Sequence, residues 1–428
     1  MTQRVLFLVN GLGLGNSTRC HAVIAELLAA GAEVEVVTSD NGLWFFAGEK
    51  SLAGVTPIPS LHYGQKGGRI SIGATLGQAG QMLSALRRVD AVVAAAIDRF
   101  RPQVVVADSV YCFRPARRAG LPLVALNNSD IVGRTLARLR DWPPSILPQF
   151  LFVELADYLY HRNVPDLVIS PRLDPADRSE SGPFRRVGPI VRRDCRPTGP
   201  SAGRLKRVAI MLSGSVFGSR VAFRRRHPGL HIDVLGRPAP DEQGKRMSAL
   251  GDPGSEISVT RWPDEAPAGL AGDQSDARKA RGANTEGRSE DSQGAGWPRP
   301  ALEGPTSDTE GVTYHGKVRD SLRLLAEADL VVVNGGFSAV SEALMMAKPM
   351  VVIPVPRHAE QWVNGRIVRQ LGVGVTAGEA ELEDAMEHAL ARFDDLRAGY
   401  RDLPVQVNGS LQAADMILTL AGGRRRCG

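Results

Sequence analysis

A β-branched run that ends in a glycine pair, followed at once by a helical pattern, holds the residues of this chain best suited to binding chemistry. Gly335 and Gly336 have no Cβ, so the backbone can come close to a ligand there. Ser338 falls in the first helical turn, where free N–H groups and the positive end of the helix dipole favour phosphate. Glu342 lies one turn later on the same face, and its carboxylate suits the hydroxyls of a ribose. Phosphate and ribose together suggest a nucleotide.

The next strand along the chain delivers Glu360 and Gln361 to the same edge of the predicted sheet. Both side chains can hydrogen-bond to sugar hydroxyls. On its own, the glycine pair is equally typical of an ordinary strand–turn–helix unit in which Glu342 is a solvated helix residue. The second strand end favours a nucleotide-sugar site over that alternative.

These motifs resemble the donor half of GT-B nucleotide-sugar glycosyltransferases, most of all the family 28-like group around the peptidoglycan N-acetylglucosaminyltransferase. Two further stretches carry the resemblance, at residues 11–19 and 186–190. The resemblance covers most of the chain and implies an α/β protein with two Rossmann-like domains, whose parallel sheets face each other across a cleft. The second domain would hold a nucleotide-sugar donor, most often a UDP-sugar, and the first an acceptor. Donor contacts are then expected at Ser213, Gly214, Ser215, Asn334, Gly335, Gly336, Ser338, Glu342, Glu360 and Gln361.

The first glycine-rich loop must be compared with the dinucleotide-binding fingerprint. Gly11, Gly13 and Gly15 follow a strand and precede a helix, and Asp40 ends the next strand at the distance of a ribose-binding acid. The spacing is G-x-G-x-G, however, and Asn16 stands where the fingerprint requires its last glycine. In the resembling family this loop lies under the acceptor and the donor phosphates.

The general base of the predicted reaction has to be sought outside the glycine-rich loop. Many members of the family have a histidine at the position of Asn16, and an asparagine cannot accept a proton at neutral pH. Asp108, at the carboxyl end of a β-branched strand, is the substitute we predict, because a partly desolvated aspartate has a raised pKa. A helix cap or loop hydrogen bond is the alternative for Asp108. Asn127 and Asn128 end the following strand and are expected to position the acceptor.

The predicted reaction is direct displacement at the anomeric carbon of a hexose or N-acetylhexosamine, with inversion, by a lipid-linked, glycan or small-molecule acceptor. No Asp-x-Asp motif precedes a suitable strand, so we predict no metal and no cofactor beyond the UDP-sugar co-substrate. Two alternatives remain: a UDP-sugar 2-epimerase of the same fold, and a non-catalytic sugar-nucleotide-binding protein.

Strands and amphipathic helices alternate in both halves of the chain, as expected for parallel sheets built from βαβ units. The boundaries we predict are an acceptor-side domain at 1–191, a linker at 192–206, a donor domain at 207–405 and a C-terminal helix and tail at 406–428. Within the donor domain, residues 238–311 are polar and lack apolar periodicity, which predicts a disordered insertion. An acceptor- or partner-binding arm is the functional alternative for that insertion.

Composition limits the remaining possibilities. The 428 residues are 43% hydrophobic and 23% charged, with a formal charge of +6 and no nucleic-acid-binding motif. No apolar run is long enough to span a bilayer, no signal peptide is evident, and the four cysteines are scattered as in a reduced compartment. A cytoplasmic protein is expected. The apolar stretch 142–153, flanked by arginines, suits either contact with the inner face of a membrane, where a lipid-linked acceptor would lie, or a core helix.

Overall fold

The computed structural model describes residues 2–59, 65–66, 69–70, 79–139, 141–198, 207–212, 223, 227–236, 307–309 and 311–423. Its first half forms a seven-stranded, fully parallel sheet of order β3-β2-β1-β6-β7-β8-β9. Its strands, with a separate small hairpin formed by β4 and β5, are β1 (Arg4–Val9), β2 (Glu33–Thr38), β3 (Gly54–Pro57), β4 (Gln65–Lys66), β5 (Arg69–Ile70), β6 (Val104–Asp108), β7 (Leu123–Leu126), β8 (Leu167–Pro171) and β9 (Phe184–Val187).

The helices of the first half follow these strands in alternation. They are α1 (Leu14–Ala29), α2 (Asp40–Phe46), α3 (Ala79–Phe100), α4 (Arg114–Arg118), α5 (Ser129–Arg138), a 3-10 turn at Pro144–Ile146, α6 (Leu147–Gln149), a π-helical stretch at Phe150–Glu154 and α7 (Leu155–Asn163). Strands β1 and β6 are almost wholly buried on both faces, because helices cover both sides of the sheet. Val9 is in register with both Thr38 and Asp108, so the carboxyl ends of three strands meet at one edge.

The second half forms another seven-stranded sheet, of order β12-β13-β11-β10-β14-β15-β16, in which only the edge strand β12 is antiparallel. Its strands are β10 (Arg207–Met211), β11 (His231–Leu235), β12 (Ser307–Thr309), β13 (Val312–Gly316), β14 (Leu330–Val333), β15 (Met350–Val352) and β16 (Gly374–Thr376). Its helices are α8 (Leu322–Glu327), α9 (Phe337–Met345), α10 (Ala359–Gln370), a 3-10 turn at Glu379–Glu381, α11 (Leu382–Ala391) and α12 (Phe393–Gly399). Two parallel α/β sheets are therefore present, as the sequence predicts.

The C-terminal helix α13 (Gly409–Gly422) follows the second sheet but packs against the first. Ala413, Ala414 and Ile417 are buried in the same hydrophobic cluster as Val23 and Ile24 of α1. Gly409 makes this crossing possible, because a Cβ there would lie 2.2 Å from the carbonyl oxygen of Gly188.

The end of the predicted insertion needs correction, and the predicted linker is partly buried. The insertion predicted at 238–311 lies almost wholly outside the described residues, but its end is structured, since β12 pairs with β13 in antiparallel register. The described part of the predicted linker, residues 192–198, is not an open tether. Arg192 and Cys195 are buried, and Arg192 reaches into the second domain. Among the described residues, no helix combines the length and apolarity needed to cross a membrane.

Candidate active site

Two helix N-termini meet where the two sheets face each other. Ser338, in the first turn of α9, donates from Oγ to the carbonyl oxygen of Gly15 in the first turn of α1, at 2.8 Å. Neither helix has a side-chain N-cap or an acidic residue in its first turn. The free N–H groups and positive dipole ends of both helices therefore point to the same place, which favours an anion.

The glycines at these two N-termini differ in what they do. A Cβ at Gly13 or Gly336 would meet nothing within 4 Å, so open space lies beside both helix ends. Gly335 has a φ of +83°, and a Cβ there would lie 2.8 Å from the carbonyl oxygen of Gln361. Gly11 lies against Ser39, whose carbonyl oxygen would be 1.7 Å from a Cβ. Gly335 and Gly11 are thus required by packing, whereas Gly13 and Gly336 leave room for a ligand.

Side-chain amides hold the shape of the loop at residues 334–336, between β14 and α9, which is called the donor loop below. Asn364, which is buried, donates to the carbonyl oxygen of Gly335 at 2.9 Å. Asn334 donates to the carbonyl oxygen of Ile353 at 3.1 Å and so ties the ends of β14 and β15 together. The amide of Asn334, predicted as a donor contact, therefore supports the loop in this structure.

Glu342 lies one turn from Ser338, as predicted, but it is buried and already bonded. Arg192 donates from Nε to Oε1 of Glu342 at 3.0 Å, and its Nη2 lies in ion-pair contact with the same oxygen, also at 3.0 Å. Arg192 also donates to Asp320 and Ser321. Burial raises the pKa of Glu342, an effect that Arg192 opposes. No hydrogen bond to Oε2 of Glu342 is present among the described residues.

Glu360 and Gln361 begin α10 beside the donor loop. The side-chain oxygen of Gln361 accepts from the backbone N–H of Val355 at 2.9 Å. The NH₂ group of the same side chain takes no part in that bond. Glu360 accepts from Nδ2 of Asn128 in the first domain at 3.3 Å. These two predicted donor residues and one predicted acceptor residue are thus brought together from opposite sides of the cleft.

The geometry of Asp108 does not fit the general base that we predict from the sequence. Asp108 is fully buried, and Arg19 donates to both of its oxygens, from Nη2 at 2.7 Å and from Nε at 2.9 Å. Cys20 adds a third contact at 3.3 Å. A carboxylate held by a bidentate arginine has no free oxygen for a substrate proton. Asp108 orders α1 instead, and the next residue, Ser109, has a φ of +55°.

The other predicted residues of the first domain support the site. Asn16 donates to the carbonyl oxygen of Asn10 at 3.4 Å and accepts from Arg19 at 3.5 Å, which fixes the glycine loop. Asn127 is buried and donates to Asp157 at 2.8 Å. Burial alone would raise the pKa of Asp157, but hydrogen bonds from His161, Tyr111 and Asn127 lower it. Ser213, Gly214 and Ser215 lie outside the described residues.

A carboxyl pair that sequence reasoning missed spans the cleft. Glu154, at the end of the π-helical stretch, is 8% exposed and faces Glu360 and His358 of the second domain. One oxygen or nitrogen atom from each of the three lies within 4.8 Å of the others, an arrangement that can hold a metal ion. Burial and the charge of Glu360 raise the pKa of Glu154 to about 8, and burial lowers the pKa of His358. The only sequence signal was a single acid in an apolar segment.

His358, the third member of this cluster, lines a pocket of about 360 Å³. One wall of the pocket is the segment around Ile146 of the first domain, and the other is the loop of the second domain that contains Arg357, where φ is +69°. Trp362 lines the pocket as well. The pocket is therefore large enough for a small polar group.

The apolar segment 142–153 is partly packed against the core and partly exposed. Trp142 and Phe150 pack against the core cluster shared with the second domain. The opposite face of this segment and of α7 is exposed to solvent. Its exposed side chains are Leu147, Leu151, Phe152, Leu155 and Leu159.

Two Rossmann-like sheets whose carboxyl edges enclose a cleft, with helix N-termini facing each other across it, define the GT-B class of glycosyltransferase. The family model of glycosyl transferase family 1 matches residues 3–141 and 310–393, together just over half of the chain. The chain belongs to this family.

Solved structures share this fold. The glycotransferase of kitacinnamycin has a TM-score of 0.53 and 17% identity, over 98% of this chain and 99% of that one. MurG from Acinetobacter baumannii has a TM-score of 0.53 and 13% identity, over 97% and 99%. SsfS6 from Streptomyces sp. SF2575, complexed with thymidine diphosphate, has a TM-score of 0.51 and 17% identity, again over 97% and 99%. At these identities the likeness shows the fold alone, and the predicted GT-B fold is confirmed.

A curated relative is also similar in sequence. The uncharacterized glycosyltransferase MK0977 from Methanopyrus kandleri is 33% identical over 78 residues. That match covers 17% of this chain and 23% of the relative, so it spans less than a quarter of the relative's length.

Proposed function

We propose that this protein transfers a hexose or N-acetylhexosamine from a nucleotide-sugar, with UDP as the expected nucleotide, to a hydroxyl group of an acceptor, with inversion at the anomeric carbon. The observation that carries the proposal is the meeting of two uncapped helix N-termini at Gly15 and Ser338. Backbone N–H groups from both domains would then hold the diphosphate between them, and hold it more tightly as it becomes a leaving group.

The remaining donor contacts follow from this placement of the diphosphate. A ribose beside α9 would reach Oε2 of Glu342, while Arg192 keeps the other oxygen in place. The transferred sugar would lie over the start of α10, against the carboxylate of Glu360 and the free NH₂ group of Gln361. Family membership supports a nucleotide-sugar donor, and a similar fold that holds thymidine diphosphate supports a nucleoside diphosphate.

The reaction as proposed needs no metal ion. The acceptor oxygen attacks the anomeric carbon from the face opposite the diphosphate, and the bond to the diphosphate breaks with its electron pair. The charge that develops on the diphosphate is stabilised by the N–H groups and dipoles of α1 and α9. These groups are already in place in the structure, so they require no reorganisation during the reaction.

The proposal for the acceptor rests on an exposed apolar face of the first domain. The exposed apolar face formed by Leu147, Leu151, Phe152, Leu155 and Leu159 suits a bilayer interface, and Arg162 lies beside it with its guanidinium over the ring of Tyr158. We therefore favour a lipid-linked acceptor and peripheral contact with the inner face of the membrane. Sedimentation with anionic vesicles tests this contact: a Phe152→Glu variant that sediments as well as the wild type would contradict it.

Donor binding is tested first by thermal unfolding with UDP, UDP-sugars, dTDP-sugars and NAD. A ligand at 100 times its dissociation constant adds about 2.7 kcal/mol to the free energy of unfolding. A shift with NAD and with no sugar nucleotide would overturn the proposal.

Turnover is tested with the sugar nucleotide that stabilises the protein most. Release of the nucleoside diphosphate is measured with and without candidate acceptors, and NMR of the product gives the anomeric configuration. Tight binding without any release, even to water, would favour a non-catalytic sugar-nucleotide-binding protein.

A further inference from the structure

The proposed transfer needs a group that accepts the proton of the acceptor hydroxyl, and neither the loop residue Asn16 nor the predicted base Asp108 is suited to this role. Asn16 has an amide side chain with no basic group. Asp108 is fully buried with both oxygens bonded to Arg19. We propose that Glu154 is this proton acceptor, acting across the cleft from Glu360; the inference rests on the proposed function and adds its missing catalytic residue.

The backbone conformation around Glu154 determines the direction in which its side chain leaves the helix. It is the last residue of the π-helical stretch Phe150–Glu154, between α6 and α7. A π-helical stretch changes the face on which the following side chain lies, and such stretches are frequent at functional sites. The two exposed residues Leu151 and Phe152 precede it, yet Glu154 itself is buried and directed to the second domain.

Gln149 fixes the orientation of the carboxyl group. Its Nε2 donates to Oε1 of Glu154 at 2.7 Å, and its Oε1 accepts from the backbone N–H of Ala359, the first residue of α10, at 3.0 Å. One side chain thus links Glu154 to the helix whose next residues are the proposed sugar contacts. The second oxygen of Glu154 is left for a substrate.

The electrostatic surroundings of Glu154 differ from those of Asp108 and Asp130. Buried Asp108 faces Arg19, and buried Asp130 faces Arg186. No ion pair joins Glu154 to a cation among the described residues. It faces the carboxyl group of Glu360 instead, and two such groups cannot both ionise freely. Burial and this neighbour raise the pKa of Glu154 to about 8.

A proton affinity in this range suits general base catalysis near neutral pH, because a carboxylate of ordinary pKa is a weaker base. In the proposed step, ionised Glu154 takes the proton from the acceptor hydroxyl as that oxygen forms its bond to the anomeric carbon. The bond between the anomeric carbon and the diphosphate breaks, and its electron pair leaves with the diphosphate. His358, the third member of the cluster that Glu154 and Glu360 form, lines a pocket between the two domains that would hold the acceptor.

The test needs no identified acceptor, because water can replace the acceptor hydroxyl. The wild type and Glu154→Gln are compared for release of nucleoside diphosphate from the sugar nucleotide that binds most tightly. We expect Glu154→Gln to lower this rate by roughly 10²–10⁴-fold while the dissociation constant of the donor changes little. Glu33→Gln, at the exposed amino end of β2 on the opposite edge of the sheet, is the matched control and should retain the wild-type rate.

The pH profile separates catalysis from a structural role. The ionised form of Glu154 is the active one, so the wild-type rate should rise with pH through the pKa of Glu154. Glu360→Gln removes the opposing charge and lowers that pKa, so its rising limb should shift to lower pH, whatever its effect on donor affinity. If the rising limb of the pH–rate profile of Glu360→Gln stays at the wild-type pH, the assignment of Glu154 is wrong. This result does not depend on whether Glu154→Gln folds.

The remaining outcomes are also decisive. A wild type that neither binds nor cleaves any sugar nucleotide contradicts the proposed function itself. A wild type that is active beside an equally active Glu154→Gln contradicts only the assignment of the base. Loss of wild-type activity with EDTA, restored by Mg²⁺ or Mn²⁺ but not in Glu154→Gln, would show that Glu154, His358 and Glu360 bind a cation instead.

Discussion

Ser338 in the second domain donates a hydrogen bond to the carbonyl oxygen of Gly15 in the first domain, at 2.8 Å. This bond joins the two helix N-termini that would hold the diphosphate. Both follow glycine loops at the carboxyl ends of interior strands, β1 and β14, so each sheet contributes one of the two helix N-termini.

Substitutions of Ser338 test this anion site. Ser338→Asp places an acid in the first turn of α9, which complements the helix dipole by about 0.3–1 kcal/mol but loses the hydrogen bond to Gly15. The same carboxylate would repel a diphosphate, and we expect UDP affinity to fall roughly 10- to 100-fold, as for a lost hydrogen bond to a charged group. Ser338→Ala serves as the control with no added charge. Calorimetric titration with UDP measures the difference; equal affinities for the two variants would place the phosphate elsewhere.

The glycine pair gives a second, internally matched prediction. Gly335→Ala should destabilise the fold by roughly 1–3 kcal/mol, since φ is +83° and the new Cβ would lie 2.8 Å from the carbonyl oxygen of Gln361. Gly336→Ala meets no atom within 4 Å and should unfold like the wild type, but its methyl group would enter the space proposed for the diphosphate. Urea unfolding and UDP binding should therefore respond oppositely to the two substitutions. A Gly336→Ala protein with normal UDP affinity would show that the ligand does not approach this backbone.

The pairing of Arg19 with Asp108 predicts a loss of stability rather than a specific loss of chemistry. Asp108→Asn leaves a buried guanidinium without its counter-charge, which costs roughly 3–5 kcal/mol. Adding Arg19→Met in the same protein removes that charge and should recover much of the free energy of unfolding. Chemical denaturation of both variants measures this. If Asp108→Asn has the stability of the wild type but a transfer rate lower by two orders of magnitude, Asp108 is the general base after all.

The fold and the donor loop could be predicted because their signals are local. The β-branched strands and the glycine pair with Ser338 lie in continuous stretches, and short-range geometry decides what they form. The base could not be predicted in this way. Whether Asp108 is available depends on Arg19, which lies 89 residues away, and the surroundings of Glu154 depend on Glu360 in the other domain. Burial and pairing of charges are set by tertiary contacts, to which a single sequence gives no access.

Different ligands should separate the contacts of Glu342 and Gln361. Glu342→Gln keeps a neutral acceptor but weakens the hold of Arg192, and it should reduce the affinity for UDP and for the UDP-sugar alike, because the proposed contact is to ribose. Gln361→Ala removes a group proposed to contact the transferred sugar and should spare UDP while weakening the UDP-sugar roughly 10-fold, as expected for a lost hydrogen bond. Competition binding with both ligands measures the four affinities. Parallel losses in the two variants would contradict the separation of ribose and sugar contacts.

The carboxyl pair of Glu154 and Glu360 also predicts how stability depends on pH. The pKa of Glu154 is raised from an ordinary value of 4.5 in the unfolded chain to about 8 in the folded protein. Between these values the folded state holds a proton that the unfolded state has released, so the contribution of Glu154 to stability falls as pH rises through this window. Glu154→Gln, which cannot ionise, removes the dependence. The melting temperature of the variant relative to that of the wild type should therefore increase from pH 5 to pH 8.5. Asp166→Asn is the control and should show no such increase over this window, because Asp166 is half-exposed and already paired with Arg117. A difference between Glu154→Gln and the wild type that stays constant with pH would mean that Glu154 is ionised throughout, with a cation beside it.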